Sequence, residues 1–246
     1  ATVVAGTHAI IQKDVEFLKL GLVITDEQHR FGVAQRAALA DKGDSPHRLV
    51  MSATPIPRTL ALIIYGDLDI SILNELPKGR IPIETYAIKG EGLRNRAFGF
   101  VKNQLDEGRQ GYIVCPMIDE TDDDNELMSV KEYHKKISEG FFKDYNVDIL
   151  HGKMTSAEKD DVMSRFKNGE IQLLVSTTVV EVGVDVPNAT IILIENADRF
   201  GLSQLHQLRG RVGRSTRHAY AYFTYRPDRN LTEIAEKRLA AIRDFA

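Results

Sequence analysis

The sequence predicts an α/β fold built on a parallel sheet, and three observations carry that prediction. Short β-branched runs recur along the chain, each followed by a stretch with helical spacing. The runs are apolar nearly throughout instead of alternating, the pattern of strands covered on both faces. Of 246 residues, 43% are hydrophobic and 27% charged, which suits a folded globular chain and excludes a disordered one.

The elements follow in order. Residues 22–24 read as a first strand leading into helical spacing at 35–40, and residues 48–51 as a second leading into 59–65. Leu76-Pro77-Lys78-Gly79-Arg80-Ile81-Pro82 then breaks both patterns with Pro, Gly and charge, as a connection between domains does. Beyond it come about six strands. Five have clear limits, at 111–115, 147–150, 171–176, 190–195 and 220–225. Helices are expected at 93–105, 127–137, 156–166, 203–207 and 232–243. The acidic run 119–126 reads as a solvated loop. On this reading 1–78 holds a partial first domain and 79–246 a complete second one.

Composition narrows the function class. Thirty-two Lys and Arg against 35 Asp and Glu give a net charge of −3. That excludes a uniformly basic coat protein but leaves room for nucleic acid on a local basic patch. Cys115, the one cysteine, can form no internal disulfide and no zinc cluster, which suits a reducing cytoplasm. No apolar run approaches the roughly 20 residues of a membrane span. The chain starts Ala1-Thr2-Val3 without a Met, as though cut from something longer.

Polar residues gather where strands end, the edge at which open α/β sheets bind ligands. Asp26 and Glu27 follow the first strand as adjacent acids, which repel each other unless a cation or a reaction needs them. Two readings stand for the pair: an exposed acidic turn, or an element like Walker B, with Asp26 on Mg²⁺ and Glu27 on the attacking water. Ser52 and Thr54 follow the second strand. Hydroxyls there ordinarily cap a helix or form a turn, but their recurrence suggests that both strands end at one sheet edge.

Gln207-Leu208-Arg209-Gly210-Arg211-Val212-Gly213-Arg214-Ser215-Thr216-Arg217 is the sharpest signal. It sets four guanidiniums in nine residues without an acid, with glycines that permit close approach to a partner. Planar, bidentate arginine forks suit phosphate oxygens. Residues 177–187 and His151-Gly152-Lys153-Met154 also follow strands, where hydroxyls and amides can hold a nucleic-acid backbone. Gly152-Lys153 is not a phosphate loop: the G-x-x-x-x-G-K-[ST] pattern fails at Val147 and again at Met154.

In this order and spacing the segments resemble the motor motifs of superfamily 2 helicases. GTHAI at Gly6 is similar to motif Ib, DEQH at Asp26 to motif II, and SATPIPR at Ser52 to motif III. TTVVEVGVDVP at Thr177 is similar to motif V and QLRGRVGR at Gln207 to motif VI. DEQHRFGVAQR, MSATPIPRTLA, NELPKGRIP, EVGVDVPNA and FGLSQLHQLRGRVGR narrow the resemblance to the RecG family of bacterial branched-DNA helicases, over essentially the whole chain. The transcription-repair coupling factors share HRFG and ATPIPRTL and are the nearest alternative. A non-enzymatic nucleic-acid-binding module is a second, which the paired acids and arginines disfavour.

The resemblance implies RecA-like, P-loop NTPase-type lobes, the first truncated within 1–78 and the second complete in 79–246 with motifs IV to VI. It implies ATP and Mg²⁺ as cofactors. Asp26 and Glu27 would hold the ion and activate water, and Gln28 and His29 would couple the nucleotide to Ser52 and Thr54. Gln207, Arg211 and Arg214 would reach the ATP phosphates from the second lobe, with Glu181, Gly183 and Asp185 on the nucleotide side. Gly6, Thr7, His8, His151, Gly152 and Thr177 would track DNA. The implied substrate is branched DNA, stalled forks and Holliday junctions, in repair and recombination. Single-stranded DNA-binding protein is a further expected partner, the bacterial cytoplasm the expected setting, and no membrane is involved. The family's phosphate loop lies upstream of motif Ib, so the chain alone is expected to be ATPase-inactive, and to self-associate through residues before Pro77.

Overall fold

A computed structural model of the chain describes residues 2–26, 38–39, 41–52, 69–73, 75, 79–116, 130–177, 185–225 and 233–244. It divides into two compact units, 1–70 and 71–246.

In the first unit, β1 (Leu22–Thr25) and β2 (His47–Val50) pair in parallel, with Leu22 opposite His47 and Thr25 opposite Val50. Val23 is buried, while Leu22, Ile24 and Leu49 are each about half exposed. Lys42 Nζ donates to the Gln12 and Val15 carbonyls, 2.6 Å each, fixing the stretch that leads into β2. Ala38 and Leu39 are helical, inside the helix expected at 35–40; the helix expected at 59–65 lies outside the described residues.

The second unit is a six-stranded sheet, parallel at every pairing. Its elements are β3 (Glu84–Lys89), α1 (Glu91–Asp106), β4 (Gln110–Val114), α2 (Val130–Glu139), β5 (Val147–Leu150) and α3 (Ser156–Lys167). They continue with β6 (Leu173–Ser176), β7 (Ala189–Ile194), α4 (Leu202–Arg209), β8 (Tyr220–Tyr225) and α5 (Glu233–Asp244). The strand order is β3-β8-β7-β4-β6-β5.

Strand alternation divides the core into two layers. Ile113, Leu173, Val175, Ile191 and Leu193 pack on one face with Phe98 and Val101 of α1 and Ile137 of α2. Tyr112, Val114, Leu174, Ile192 and Ile194 pack on the other with Phe166 of α3, Leu205 and Leu208 of α4, and Ile242 of α5. Burying a side chain of this kind contributes roughly 1.5–3 kcal/mol, so the central strands anchor the unit. All six residues of β7 are buried, as its apolar run predicts. No such run marks β3, Glu-Thr-Tyr-Ala-Ile-Lys, which lay outside the five strands with clear limits. Among the described residues it is an edge strand with one neighbour, half exposed, and needs no continuous apolar sequence. Among the described residues no helix is long and apolar enough to cross a membrane.

Candidate functional site

In the first unit the paired ends of β1 and β2 are level, and the Met51 amide donates to the Thr25 carbonyl at 2.8 Å. Asp26 and Ser52 therefore leave one sheet edge together, both exposed. Glu27, Gln28, His29 and Thr54 lie outside the described residues. Gly6 and Thr7 are exposed and precede a 3-10 turn, His8–Ile11, in which the Ile10 amide donates to the Thr7 carbonyl at 3.1 Å. A Cβ on Gly6 would sit 2.7 Å from Ile10 Cγ2, so any larger residue there would have to displace the Ile10 side chain.

In the second unit, β5 and β6 also end level, Leu150 opposite Ser176. The Thr177 amide donates to the Leu150 carbonyl at 3.2 Å, which brings Thr177 beside His151. The His151-Gly152-Lys153-Met154 turn is closed by the Met154 amide on the His151 carbonyl, 3.2 Å, and by Lys159 Nζ on the Gly152 carbonyl, 2.9 Å. Thr155 then caps α3 through a reciprocal pair with Glu158, at 3.3 and 2.7 Å. Burial holds the His151 imidazole below its ordinary range, and the charges of Lys131, Lys159 and Lys153 add to this against Glu158. This rim is consequently basic, with a neutral imidazole at its centre. Among the described residues the buried Ser176 Oγ and Thr177 Oγ1 find no hydrogen-bond partner, which costs free energy unless another group satisfies them.

Leu205 and Leu208, three apart and buried, seat α4, and Gln207 stands half-buried between them. The helix ends at Gly210, and Arg211 and Val212 fold back on it through amides bonded to the Leu208 and Arg209 carbonyls. Gly213 has φ +72°, and a Cβ there would lie 2.7 Å from Ile83 Cγ1, so glycine is required twice over. Arg214 Nε donates to the Gly210 carbonyl at 3.0 Å, while its Nη1 lies 3.6 Å from Asp185 Oδ1. The charges of Arg214 and Arg211 both reach the Tyr112 phenol, which burial pushes well up. Arg214 thus meets Asp185 directly, and both act by charge, with Arg211, on the sheet face that Tyr112 shares with α4. Glu181 and Gly183 lie outside the described residues.

Arg209 and Arg217 are engaged elsewhere. Arg209 donates to the Ile242 carbonyl at 2.9 Å and lies 3.2 Å from His206 Nδ1. Arg217 donates to Asn188 Oδ1 at 2.6 Å.

One cluster was not foreseen. Glu195, one residue past β7 and 6% exposed, accepts from Arg94 Nε and Tyr133 Oη on Oε1, 2.6 Å each, and from Thr224 Oγ1 on Oε2 at 2.5 Å. An isolated Glu after an apolar run reads as a solvated strand end, and its partners lie 29 to 101 residues away in sequence. Cys115 sits close enough that Glu195 adds to burial in pushing its thiol up.

Comparison with known proteins sets these residues in context. Residues 96–216 match the helicase conserved C-terminal domain. The chain is 54% identical over 218 residues to the ATP-dependent DNA helicase RecG of Bacillus subtilis (strain 168), covering 89% of this chain and 32% of that protein. Identity to the RecG of Haemophilus influenzae is 50% over 253 residues, 98% of this chain and 35% of that one. A solved structure of RecG bound to a three-way DNA junction superposes with a TM-score of 0.73 at 42% identity, covering 98% of this chain and 31% of that one. Saccharomyces cerevisiae Dbp5 bound to RNA and ADP BeF3, at TM-score 0.61 and 16% identity, shares the fold over 97% of this chain and 60% of its own. The chain spans about a third of the length of the curated relatives it matches.

Proposed function

We propose, from the premise that this chain belongs to the RecG helicase family, that it forms part of an ATP-dependent DNA translocase that remodels forks and Holliday junctions. The Arg214 guanidinium beside Asp185, with the charges of Arg214, Arg211 and Asp185 all reaching Tyr112, carries this reading. Guanidiniums beside an exposed, exchangeable carboxylate are poised to take phosphate oxygens instead.

In the reaction, Glu27 orients water toward the γ-phosphorus of ATP and takes its proton, while the bond to the β,γ-bridging oxygen breaks. Gln207, Arg211 and Arg214 stabilise the charge that spreads over the transferring phosphoryl group, with Glu181, Gly183 and Asp185 on the nucleotide side. Asp26, an exposed carboxylate at a strand end, is a hard oxygen donor of the kind Mg²⁺ takes singly together with phosphates. When bound, the ion neutralises phosphate charge. Gln28 and His29 relay nucleotide state to Ser52 and Thr54. Gly6, Thr7, His8, His151, Gly152 and Thr177 follow the DNA backbone, which suits stepping along any sequence. The buried Thr177 hydroxyl, without a partner among the described residues, supports its share in that contact.

The domain assignment that goes with this reading is 1–78 as the later part of motor lobe 1 and 79–246 as lobe 2. A bacterial cytoplasm, single-stranded DNA-binding protein as a partner, and self-association of the isolated chain through residues before Pro77 complete it. An ATPase assay with and without forked DNA tests the reading. The 246-residue chain alone is expected to turn over little or no ATP; robust turnover abolished by Glu27→Gln would sink that expectation. In the full-length helicase, Glu27→Gln is expected to abolish DNA-stimulated hydrolysis, and a near-normal rate would refute the assigned role.

A further inference from the structure

We infer that Glu195, gripped by Arg94, Tyr133 and Thr224, is a positioning residue that joins the basic rim at β5 to the helix presenting Arg211 and Arg214. The inference rests on the function proposed above and extends it to how DNA binding is felt at the nucleotide.

Four elements converge on this one carboxylate: α1 through Arg94, α2 through Tyr133, β8 through Thr224, and the end of β7 through Glu195 itself. The donors also touch one another, with Arg94 Nη2 bonded to Tyr133 Oη at 3.2 Å. The Arg94 guanidinium lies 4.6 Å from the centre of the Phe98 ring. Holding an ion pair in such a place costs desolvation that an apolar set of similar volume would avoid. Cohesion alone therefore gives a poor reason for it, and fixed geometry gives a better one. Burial pushes the Tyr133 phenol well up, so it stays a donor. Burial opposes the charge on Arg94, but Glu195 and Tyr133 outweigh it and hold the guanidinium above its ordinary range.

On one side the cluster governs the lead into α4. The Thr224 hydroxyl that donates to Glu195 also accepts from the Asn196 amide at 3.3 Å, and Asn196 holds a left-handed turn with φ 49°. A 3-10 turn, Ala197–Arg199, follows directly, and Arg238 clasps the Phe200 carbonyl at 2.5 Å just before α4 begins. No slack segment separates Glu195 from Gln207.

On the other side Tyr133 stands two residues beyond Lys131, whose charge reaches His151. The same helix is tied to β5 where His134 Nε2 lies 3.3 Å from the Val147 carbonyl. A phosphate drawn onto Lys131 and His151 pulls on the first turn of α2. The Tyr133 hydroxyl passes that pull to Glu195, and so to the turn that sets the register of α4. From Tyr133 to the turn before α4 each step is a hydrogen bond, while Lys131 and His151 meet through charge alone.

Tyr133→Phe and Glu195→Gln in the full-length helicase test it, with ATP turnover measured across a titration of forked DNA. The first removes one hydroxyl and keeps the ring; the second keeps the shape and removes the charge, and a thermal melt reports the fold of each. The DNA-independent rate is expected to stay within about twofold, while the DNA-saturated rate falls roughly fivefold, the size of effect seen for residues that modulate coupling. The DNA concentration giving half-maximal rate should hold. Basal and stimulated rates falling by one common factor would make the cluster merely structural and overturn the inference. So would full stimulation in Tyr133→Phe, or a change confined to DNA affinity. Absence of DNA stimulation in the unaltered protein overturns the functional reading, and this coupling with it.

Discussion

The arginines of the segment 209–217 differ in what they hold: two reach distant neutral groups, and one reaches a solvated acid. Arg209 and Arg217 donate to a backbone carbonyl and to a neutral side-chain amide, at 2.9 and 2.6 Å. Arg214 donates its Nε to the Gly210 carbonyl of its own turn at 3.0 Å but leaves its Nη1 facing Asp185 across 3.6 Å, the carboxylate 59% exposed. The charges of Arg214 and Arg211 both reach Tyr112. A short bond to a buried carbonyl has no replacement if broken, so it fixes structure. A looser contact to a solvated acid exchanges readily for a phosphate. Identity of side chain says little about role here; the partner decides it.

Three substitutions would break or sharpen this contrast. Arg211→Ala in the full-length helicase is expected to lower DNA-stimulated ATP hydrolysis by about 10³-fold or more, the effect of losing an arginine that stabilises phosphoryl transfer. Steady-state turnover beside an unchanged melting curve would show it, and equal losses of rate and stability would erase the distinction. Arg209→Ala should do the reverse. Losing the bond to the Ile242 carbonyl is expected to cost about 1–3 kcal/mol in urea unfolding, with the rate per folded molecule nearly intact.

The smallest effect concerns His206, against which Arg209 packs. Burial first, and the Arg209 charge second, hold its imidazole below the ordinary 6.5. Above 6.5 both folded and unfolded states leave it neutral. As pH falls through 6.5 the unfolded state takes up a proton first, so stability declines until the folded imidazole also protonates. Unfolding at pH 7.5 and 5.5 should show this loss, and His206→Gln should reduce it. His151, lowered as well, leaves a residual slope. An unchanged pH dependence in the variant would place His206 outside the acid response.

How much of this was legible in sequence depends on how local each signal is. The buried strands announced themselves because a strand covered on both faces must be apolar at every position, as Ala189–Ile194 is. The level ends of β1 with β2, and of β5 with β6, follow from parallel pairing, so Asp26 beside Ser52 and His151 beside Thr177 were foreseeable. β3 was not, because an edge strand pairs on one side only and tolerates Glu84 and Lys89 in the ladder. Nor could four arginines in nine residues be divided into two kinds, since Ile242, Asn188 and Asp185 are distant in sequence. Glu195 was hidden for the same reason, with donors on three elements before and after it.

The place of β3 also carries a consequence for biosynthesis. It is the first strand of the second unit to leave the ribosome, yet its one neighbour is β8, whose first residue comes about 130 positions later. At ordinary elongation speeds β3 therefore waits on the order of ten seconds for its partner. Throughout that interval its backbone donors and acceptors stand open, and β7, once made, lacks a partner on the same side until β8 follows. Chains arrested before Tyr220 are left with both edges bare, so β8, the latest in sequence of the sheet's described strands, is the one that seals it.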